Sequence, residues 1–373
     1  MNPTRIRDFG ITVGSLPTGP LNKITDVPGV TVGHATIDTD RQKTGVTVII
    51  PAEGNLFTHP LTASCHVING YGKSAGLMQV QELGTLETPI ALTGTLNVGK
   101  IHDALVSYTI EQCETAGKTC RSVNPVVGET NDGTLCANND RPADKTHLDA
   151  AIASACADFA EGDVGAGKGT VCLGLKGGIG SASRVMEIAE RTFTLGVLVQ
   201  TNFGCVENLR IDGLPVGRAV VELIREEQEK AAEAITGQDD IGSIMIIVGT
   251  DLPVSELQLT RILRRATVGL ARTGSNIGHG SGDVVIGFTT SNRRGDNRHE
   301  SDGAIRTVEI LNDGKLEFAF NAVAECVEEA IYNSMIAADT VTGFNGQERV
   351  TVRALSEFLP EALTRARAAA GKL

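Results

Sequence analysis

Thr273-Gly-Ser-Asn-Ile-Gly-His-Gly-Ser-Gly-Asp-Val-Val-Ile-Gly-Phe-Thr289 is the stretch on which the reading of this chain turns. Residues 273–280 form a Gly/Asn-rich loop, and residues 283–289 an apolar run that reads as a strand. The serine between them, Ser281, therefore stands at a strand's start. Upstream, residues 257–272 read as a helix. The strand is a nearly continuous run of Val, Ile and Phe, and residues 46–50, 170–175, 196–200 and 243–248 have the same character. Strands of that kind belong in sheets covered on both faces. Helical stretches at 102–117, 146–159 and 217–234 would supply the outer layers. Beyond the strand come a charged loop at 291–303, a further strand at 304–311, an Ala-rich helix at 318–338 and a last helix at 353–370. No linker or internal repeat divides the chain, so a single mixed α/β domain over residues 1–373 is expected.

Composition supports a packed enzyme core. The 373 residues are 41% hydrophobic but only 3% aromatic, with no tryptophan and 43 glycines, so Val, Ile, Leu and Ala must fill the interior around many tight turns. A net charge of -12 offers no electrostatic footprint for nucleic acid or an anionic membrane, and neither is an expected partner. The opening residues lack the apolar core of a secretory signal, and no run approaches the ~18 apolar residues of a membrane span. A cytoplasmic location is expected.

The eight cysteines (65, 113, 120, 136, 156, 172, 205 and 326) contain no CxxC pair, as suits reduced thiols used as small core residues. The seven histidines show no HExxH or HxH pairing, and the adjacent Cys65 and His66 would point to opposite faces of a strand. No metal or other cofactor is expected.

Four local patterns bear on chemistry. From Gly162 the spacing GxxxxGK is satisfied, but Gly169 follows Lys168 where a nucleotide-binding loop needs Ser or Thr, and the order is helix, loop, strand. A nucleotide-binding regulator remains the rival from another class; a turn leading into residues 170–175 is the better reading. Lys176-Gly-Gly-Ile-Gly-Ser-Ala-Ser-Arg184, placed between a strand and a helix, offers either an anion-binding nest or tight strand–helix packing. Arg294-Gly-Asp296 reads as a solvated loop. His279-Gly-Ser-Gly-Asp283 is an ordinary turn composition, yet it also suits an N-terminal nucleophile. Gly280 leaves the preceding carbonyl open to attack by Ser281 Oγ, and scission would leave hydroxyl and α-amine on one residue. That amine, with a reference pKa of ~7.7–8.0, can act as the local base.

Many ordered motifs resemble the DmpA-like aminopeptidases, a family of L-aminopeptidase/D-esterase/amidases and β-peptidyl aminopeptidases, with pantetheine hydrolases as relatives. They include Thr25-Asp-Val-Pro-Gly-Val-Thr-Val-Gly-His34, Leu92-Thr-Gly-Thr-Leu-Asn-Val-Gly99, Val126-Val-Gly-Glu-Thr-Asn-Asp-Gly133, Leu209-Arg-Ile-Asp-Gly-Leu-Pro-Val-Gly217 and Gly280-Ser-Gly-Asp283. The stretches 45–51, 69–76, 176–184, 198–204 and 271–274 match as well. The resemblance implies a four-layer α/β/β/α sandwich of the N-terminal-nucleophile-like type. It also implies autocatalytic cleavage into chains 1–280 and 281–373 that stay associated, and an oligomer of such cleaved protomers. Implied substrates are short peptides, amides or esters, with a pantetheine-type amidase or acyltransferase as the alternative on the same scaffold.

Carried over by position, Ser281 matches the nucleophile and Asn202 an oxyanion-hole donor, a role typically worth ~2.7–4 kcal/mol. Glu129 matches the carboxylate that binds the substrate's free ammonium. Asn131 stands where some members have a tyrosine beside the oxyanion. The Ser-x-Glu pair of the small chain falls on 327–329, or on 326–328, and its serine is missing in both registers. Glu329 is the preferred relay residue because it shares a helical stripe with Cys326 and Asn333, with Glu328 as the other choice.

Overall fold

The computed structural model describes residues 4–229, 242–293, 305 and 307–371. In chain order it forms β1 (Thr31–Asp38), β2 (Lys43–Ile50), β3 (Leu61–Gly70), α1 (Leu77–Leu83), β4 (Thr85–Leu86), β5 (Ile90–Gly94), α2 (Val98–Thr115) and β6 (Val126–Thr130). There follow α3 (Lys145–Ala153), β7 (Val171–Cys172), β8 (Leu175–Lys176), β9 (Ile179–Ile188), β10 (Arg191–Asn202), α4 (Val216–Glu229) and β11 (Ser243–Thr250). The last elements are α5 (Glu256–Leu263), α6 (Ala266–Arg272), β12 (Gly282–Thr289), α7 (Leu316–Ile336), β13 (Val341–Phe344), β14 (Arg349–Val352) and α8 (Leu359–Ala370).

Two sheets carry the architecture, one ordered β1-β2-β5-β6 and the other β4-β3-β12-β11-β10-β9. Every residue of β11 and β12 is buried, because the period of two along these apolar strands feeds two separate cores. Val284, Ile286 and Phe288 join Met245, Ile247 and Leu198 against Leu92 and Val126 of the other sheet. Val285, Ile244, Ile246 and Val248 face the opposite way, onto a cluster that contains Leu259, Leu270, Val323 and Val327 of α5, α6 and α7. A third cluster packs Val46, Val48, Ala91 and Val127 beneath Leu105 of α2 and Leu148 of α3. The layers are thus α/β/β/α, as expected. β12 lies inside the larger sheet, antiparallel to β3 and parallel to β11.

Helix α7 rests directly on β9. A Cβ added at Gly180 would lie 2.0 Å from Ala330 O, so only glycine permits this approach. A buried ionic group fastens the chain's early residues to the same helix. Arg184, fully buried, donates to Glu325 and Glu329, each at 2.7 Å, and to Val13 O at 2.7 Å. Arg7 and Asn22 also donate to Glu329, both at 2.6 Å at closest.

Several expected elements differ. The helix at 257–272 is two helices, broken at Arg264–Arg265, and nothing in the sequence marks the break. Residues 146–159 remain helical only to Ala153. Residues 170–175 fold as the small β7–β8 hairpin. The stretch 176–184 runs into strand β9 rather than a helix, so the anion nest has no helix N-terminus behind it and the glycines serve close packing. Residues 307–311 form no strand: Glu309 exchanges backbone hydrogen bonds with the Asn292 side chain and Leu311 N–H bonds Pro253 O, which leaves no strand partner. The last helix begins at Leu359, with Pro360 in its first turn where a missing N–H costs nothing. The segments 230–234 and 294–296 lie outside the described residues.

The GxxxxGK segment forms a single 3-10 turn, Gly165–Gly167, and Lys168 Nζ pairs with Asp38 and Asp163, both at 2.8 Å. That pairing occupies the group a phosphate would need. All eight cysteines are free, and five of them are buried. Among the described residues no helix is long and apolar enough to cross a membrane.

Candidate active site

Ser281 precedes β12 by one residue and is 2% exposed. Its N–H donates to Gly278 O at 3.0 Å, closing a turn over Gly278–Ser281, and its carbonyl accepts from Tyr71 N–H at 3.3 Å. The Asn69 side-chain amide holds the carbonyls of Gly278 (3.2 Å), His279 (3.1 Å) and Ser281. Ser281 Oγ donates to Asp283 Oδ1 at 2.6 Å. Residues two apart on an extended strand share a face, which brings this hydroxyl and carboxylate together. Gly282 faces the other way. A Cβ there would lie 2.9 Å from Gly72 Cα and 3.0 Å from Ser243 Oγ, so the backbone of the 71–76 loop can approach only because the residue is glycine.

That approach delivers Glu129. The end of β6 carries it 2% exposed, with Oε1 accepting from Lys73 N–H at 2.7 Å and Oε2 from the Thr95 hydroxyl. Its Oε1 is 3.5 Å from the point a Cβ on Gly72 would occupy, and Gly72 in turn abuts Gly282. Asn202 ends β10 and pairs with Ser243, which pairs with Gly282, so the three stand in one row across the sheet. Asn202 is thus two strands from Gly282, roughly 10 Å at ~4.8 Å per strand. Its Oδ1 accepts from Val171 N–H at 2.9 Å, which fixes the carboxamide and leaves Nδ2 as its donor. A cavity of about 760 Å³ adjoins the row, with Asn131, Asn202, Gly242 and Arg41 in its wall. The cavity reaches Ser281's neighbourhood at Gly242, whose carbonyl accepts Gly282 N–H at 3.0 Å. Asn131 lines this cavity too, and its Oδ1 accepts from Gly133 N–H at 3.0 Å, which likewise leaves Nδ2 as its donor.

The segments that carry Ser281, Glu129 and Asn202 therefore lie at one end of the two sheets. Glu129 and Asn202 are reached through Gly282, the Ser281 hydroxyl is turned to the opposite face on Asp283, and Glu329 lies apart from all three. It sits fully buried beside Arg184, which pairs with Leu195 of β10. Leu195 is seven residues along the strand from Asn202, or ~23 Å at ~3.3 Å per residue. Arg7 and Arg184 counter the burial penalty and hold the Glu329 carboxyl below its ordinary range. Glu328 is elsewhere again, bonded by Tyr332 Oη at 3.2 Å and Arg272 at 3.3 Å.

Sequence reasoning assigned no role to Asn69 or Asp283, nor to Thr95 and Lys73, which hold Glu129. The Ser-x-Asp spacing at a strand start was the available signal for Asp283. Behind the site, Asp132 and Lys176 are fully enclosed. Burial pushes the Asp132 carboxyl up to about 6, with the Glu129 charge adding to the rise. Burial lowers the Lys176 ammonium to about 7, although its Nζ donates to the carbonyls of Gly167, Thr170 and Gly177 at 2.6–3.0 Å. Among the described residues, no three His, Cys, Asp or Glu side chains group to hold a metal ion.

The sequence model for Peptidase family S58 matches residues 22–349. The β-peptidyl aminopeptidase BapA of Sphingosinicella microcystinivorans is 36% identical over 356 residues, spanning 92% of this chain and 88% of that protein. Two solved structures match with TM-scores of 0.86, each covering 97% of this chain and 99% of its own. One is a β-aminopeptidase of a Burkholderia species, 39% identical. The other is an L-aminopeptidase D-Ala-esterase/amidase of Ochrobactrum anthropi, 34% identical, a prototype for the serine aminopeptidases with a variant of the Ntn hydrolase fold.

Proposed function

The chain belongs to peptidase family S58 and is a hydrolase of the aminopeptidase type, and from that premise we propose that it cuts its own Gly280–Ser281 bond and then acts through the freed Ser281. The observation that supports the proposal is the placement of Ser281 beside Gly282, whose neighbours across Gly72 and along the row of paired strands are Glu129 and Asn202, at one sheet end. The hydroxyl, held on Asp283 in the uncut chain, turns toward them once the bond is cut. Scission gives Ser281 a free amine, and its hydroxyl attacks the carbonyl of a substrate's first residue to form an acyl-enzyme that water releases. Glu129 takes the substrate's ammonium, since a buried carboxylate favours an unblocked amino end over an uncharged one. Asn202 Nδ2 donates to the developing oxyanion. Asn131, in the same cavity wall, is the second candidate donor through its Nδ2. Glu329 is assigned to anchoring the chain's early residues to α7, not to proton transfer.

The substrates are short peptides, amides or esters with a free amino end; β-peptidyl compounds, named for the Sphingosinicella relative, are the first class to try. Intact-mass analysis of the purified protein should find fragments 1–280 and 281–373, and a panel of L-, D- and β-aminoacyl p-nitroanilides should be hydrolysed. Ser281→Ala should leave one unbroken, inactive chain. An unbroken wild-type chain that turns over these amides would refute the proposal.

A further inference from the structure

In the unbroken chain the nitrogen of Ser281 belongs to an amide and carries no basic lone pair, so the α-amine that assists later turnover does not yet exist. A serine hydroxyl at its free pKa is a weak nucleophile and needs a proton acceptor in hydrogen-bond reach. Asp283 Oδ1 accepts the Ser281 hydroxyl at 2.6 Å, and both residues are at most 2% exposed. The surroundings hold the reacting turn still. Asn69 pairs with Asp283 across β3 and β12, and its amide grips three carbonyls of the segment but not that of Gly280, the one to be attacked.

We propose that Asp283 is the catalytic base of self-cleavage, a second carboxylate with a role separate from that of Glu129, and that Asn69 positions the scissile turn. This rests on the self-cleavage reading above. The Asp283 carboxylate takes the Ser281 Oγ proton as Oγ bonds to the Gly280 carbonyl carbon. The Gly280 C–N bond then breaks as the Ser281 nitrogen receives that proton from Asp283, leaving an ester between Gly280 and Oγ and a free amine on Ser281. Water adds to the ester carbonyl, giving the Gly280 carboxyl group and restoring the hydroxyl. Nothing is oxidised or reduced, and the only co-reactant is water.

The test follows conversion of the full-length chain to its two fragments by gel and intact mass in four chains: wild type, Asp283→Asn, Ser281→Cys and the double variant. Removing a general base costs roughly 10²–10⁴-fold, so Asp283→Asn should process at least about 100-fold more slowly than wild type. A thiol, with a free pKa of ~8.5, supplies its own thiolate, so the same change in the Ser281→Cys chain should cost at least tenfold less. Equal losses in both would mean that Asp283 only supports structure, and wild-type processing in a folded Asp283→Asn chain would likewise overturn the proposal while leaving self-cleavage intact. A wild-type chain that never breaks would instead overturn the reading on which it rests. Should the amide not yield a folded chain, Asp283→Ser takes its place in the same comparison.

Discussion

Replacing Glu129 by glutamine isolates the charge that the proposed function uses. Each Glu129 oxygen accepts one protein hydrogen bond, from Lys73 N–H and from the Thr95 hydroxyl. A carboxylate oxygen has two lone pairs, so each keeps one for a ligand. Glutamine retains an oxygen for Lys73 N–H, and the Thr95 hydroxyl can turn to accept from the new amide, so the fold should persist. What disappears is the anion opposite the substrate's ammonium. A hydrogen bond to a charged group contributes ~1.5–3 kcal/mol against ~0.5–1.5 for a neutral one, a loss of ~1–2 kcal/mol. At ~1.4 kcal/mol per decade that lowers kcat/KM about 5–30-fold. The assay compares an aminoacyl p-nitroanilide bearing a free amine with its N-acetylated counterpart, alongside a thermal melt of each protein. Glu129→Gln should weaken turnover of the free-amine substrate, mainly through KM, and leave the poor turnover of the acetylated one unchanged. Equal turnover of both substrates by the wild type, or an unchanged kcat/KM in the folded variant, would refute the assignment.

Asn202→Ala should lower kcat by about 10²–10³-fold with little change in KM, the cost typical of one oxyanion donor; steady-state kinetics on the same amide decides it. Arg184→Met leaves the Glu325 and Glu329 carboxylates buried without their shared cation and should cost about 3–5 kcal/mol in denaturant unfolding. Glu329→Gln should shift the unfolding midpoint yet preserve kcat, and a fall in kcat at unchanged stability would return Glu329 to the catalytic machinery. Asp132 has a folded pKa raised from 3.8 to about 6, so the stability tied to its neutral form is full below pH 3.8 and lost as pH rises through 6. At ~1.36 kcal/mol per pH unit that loss is ~3 kcal/mol, and Asp132→Asn should remove it from the pH–stability curve. Gly180→Ala must displace the Ala330 carbonyl and should destabilise by ~1–3 kcal/mol or more, read from the same unfolding curves.

The layered fold was legible because β10, β11 and β12 are apolar on both faces, a pattern only a doubly covered sheet tolerates. Of the strand placed at 304–311, residues 307–311 form none, because Val308 and Ile310 look like strand residues in sequence, whereas both are exposed and their segment is tied down by Asn292 and Pro253. Ser281, Asn202 and Glu129 could be named from motifs, but what joins them could not. Their placement at one sheet end depends on strand register and on Gly72 packing against Gly282, contacts between residues far apart in the chain. Glu329 misled for a similar reason. The residues that claim it, Arg7, Asn22 and Arg184, come from segments whose docking on α7 no helical spacing reveals.

The place of β12 inside the larger sheet fixes the order in which the proposed cut could occur. Its ladders run to β3 on one side and β11 on the other, both upstream of residue 280. If the bond before Ser281 is cut, the downstream piece is already threaded between two strands of the upstream piece and cannot leave without unzipping both. Assembly must then come first and cutting second. Matured protein taken fully apart by denaturant would have lost the single covalent thread that guided this insertion, so its two pieces should reassemble far less readily than the uncut Ser281→Ala chain refolds.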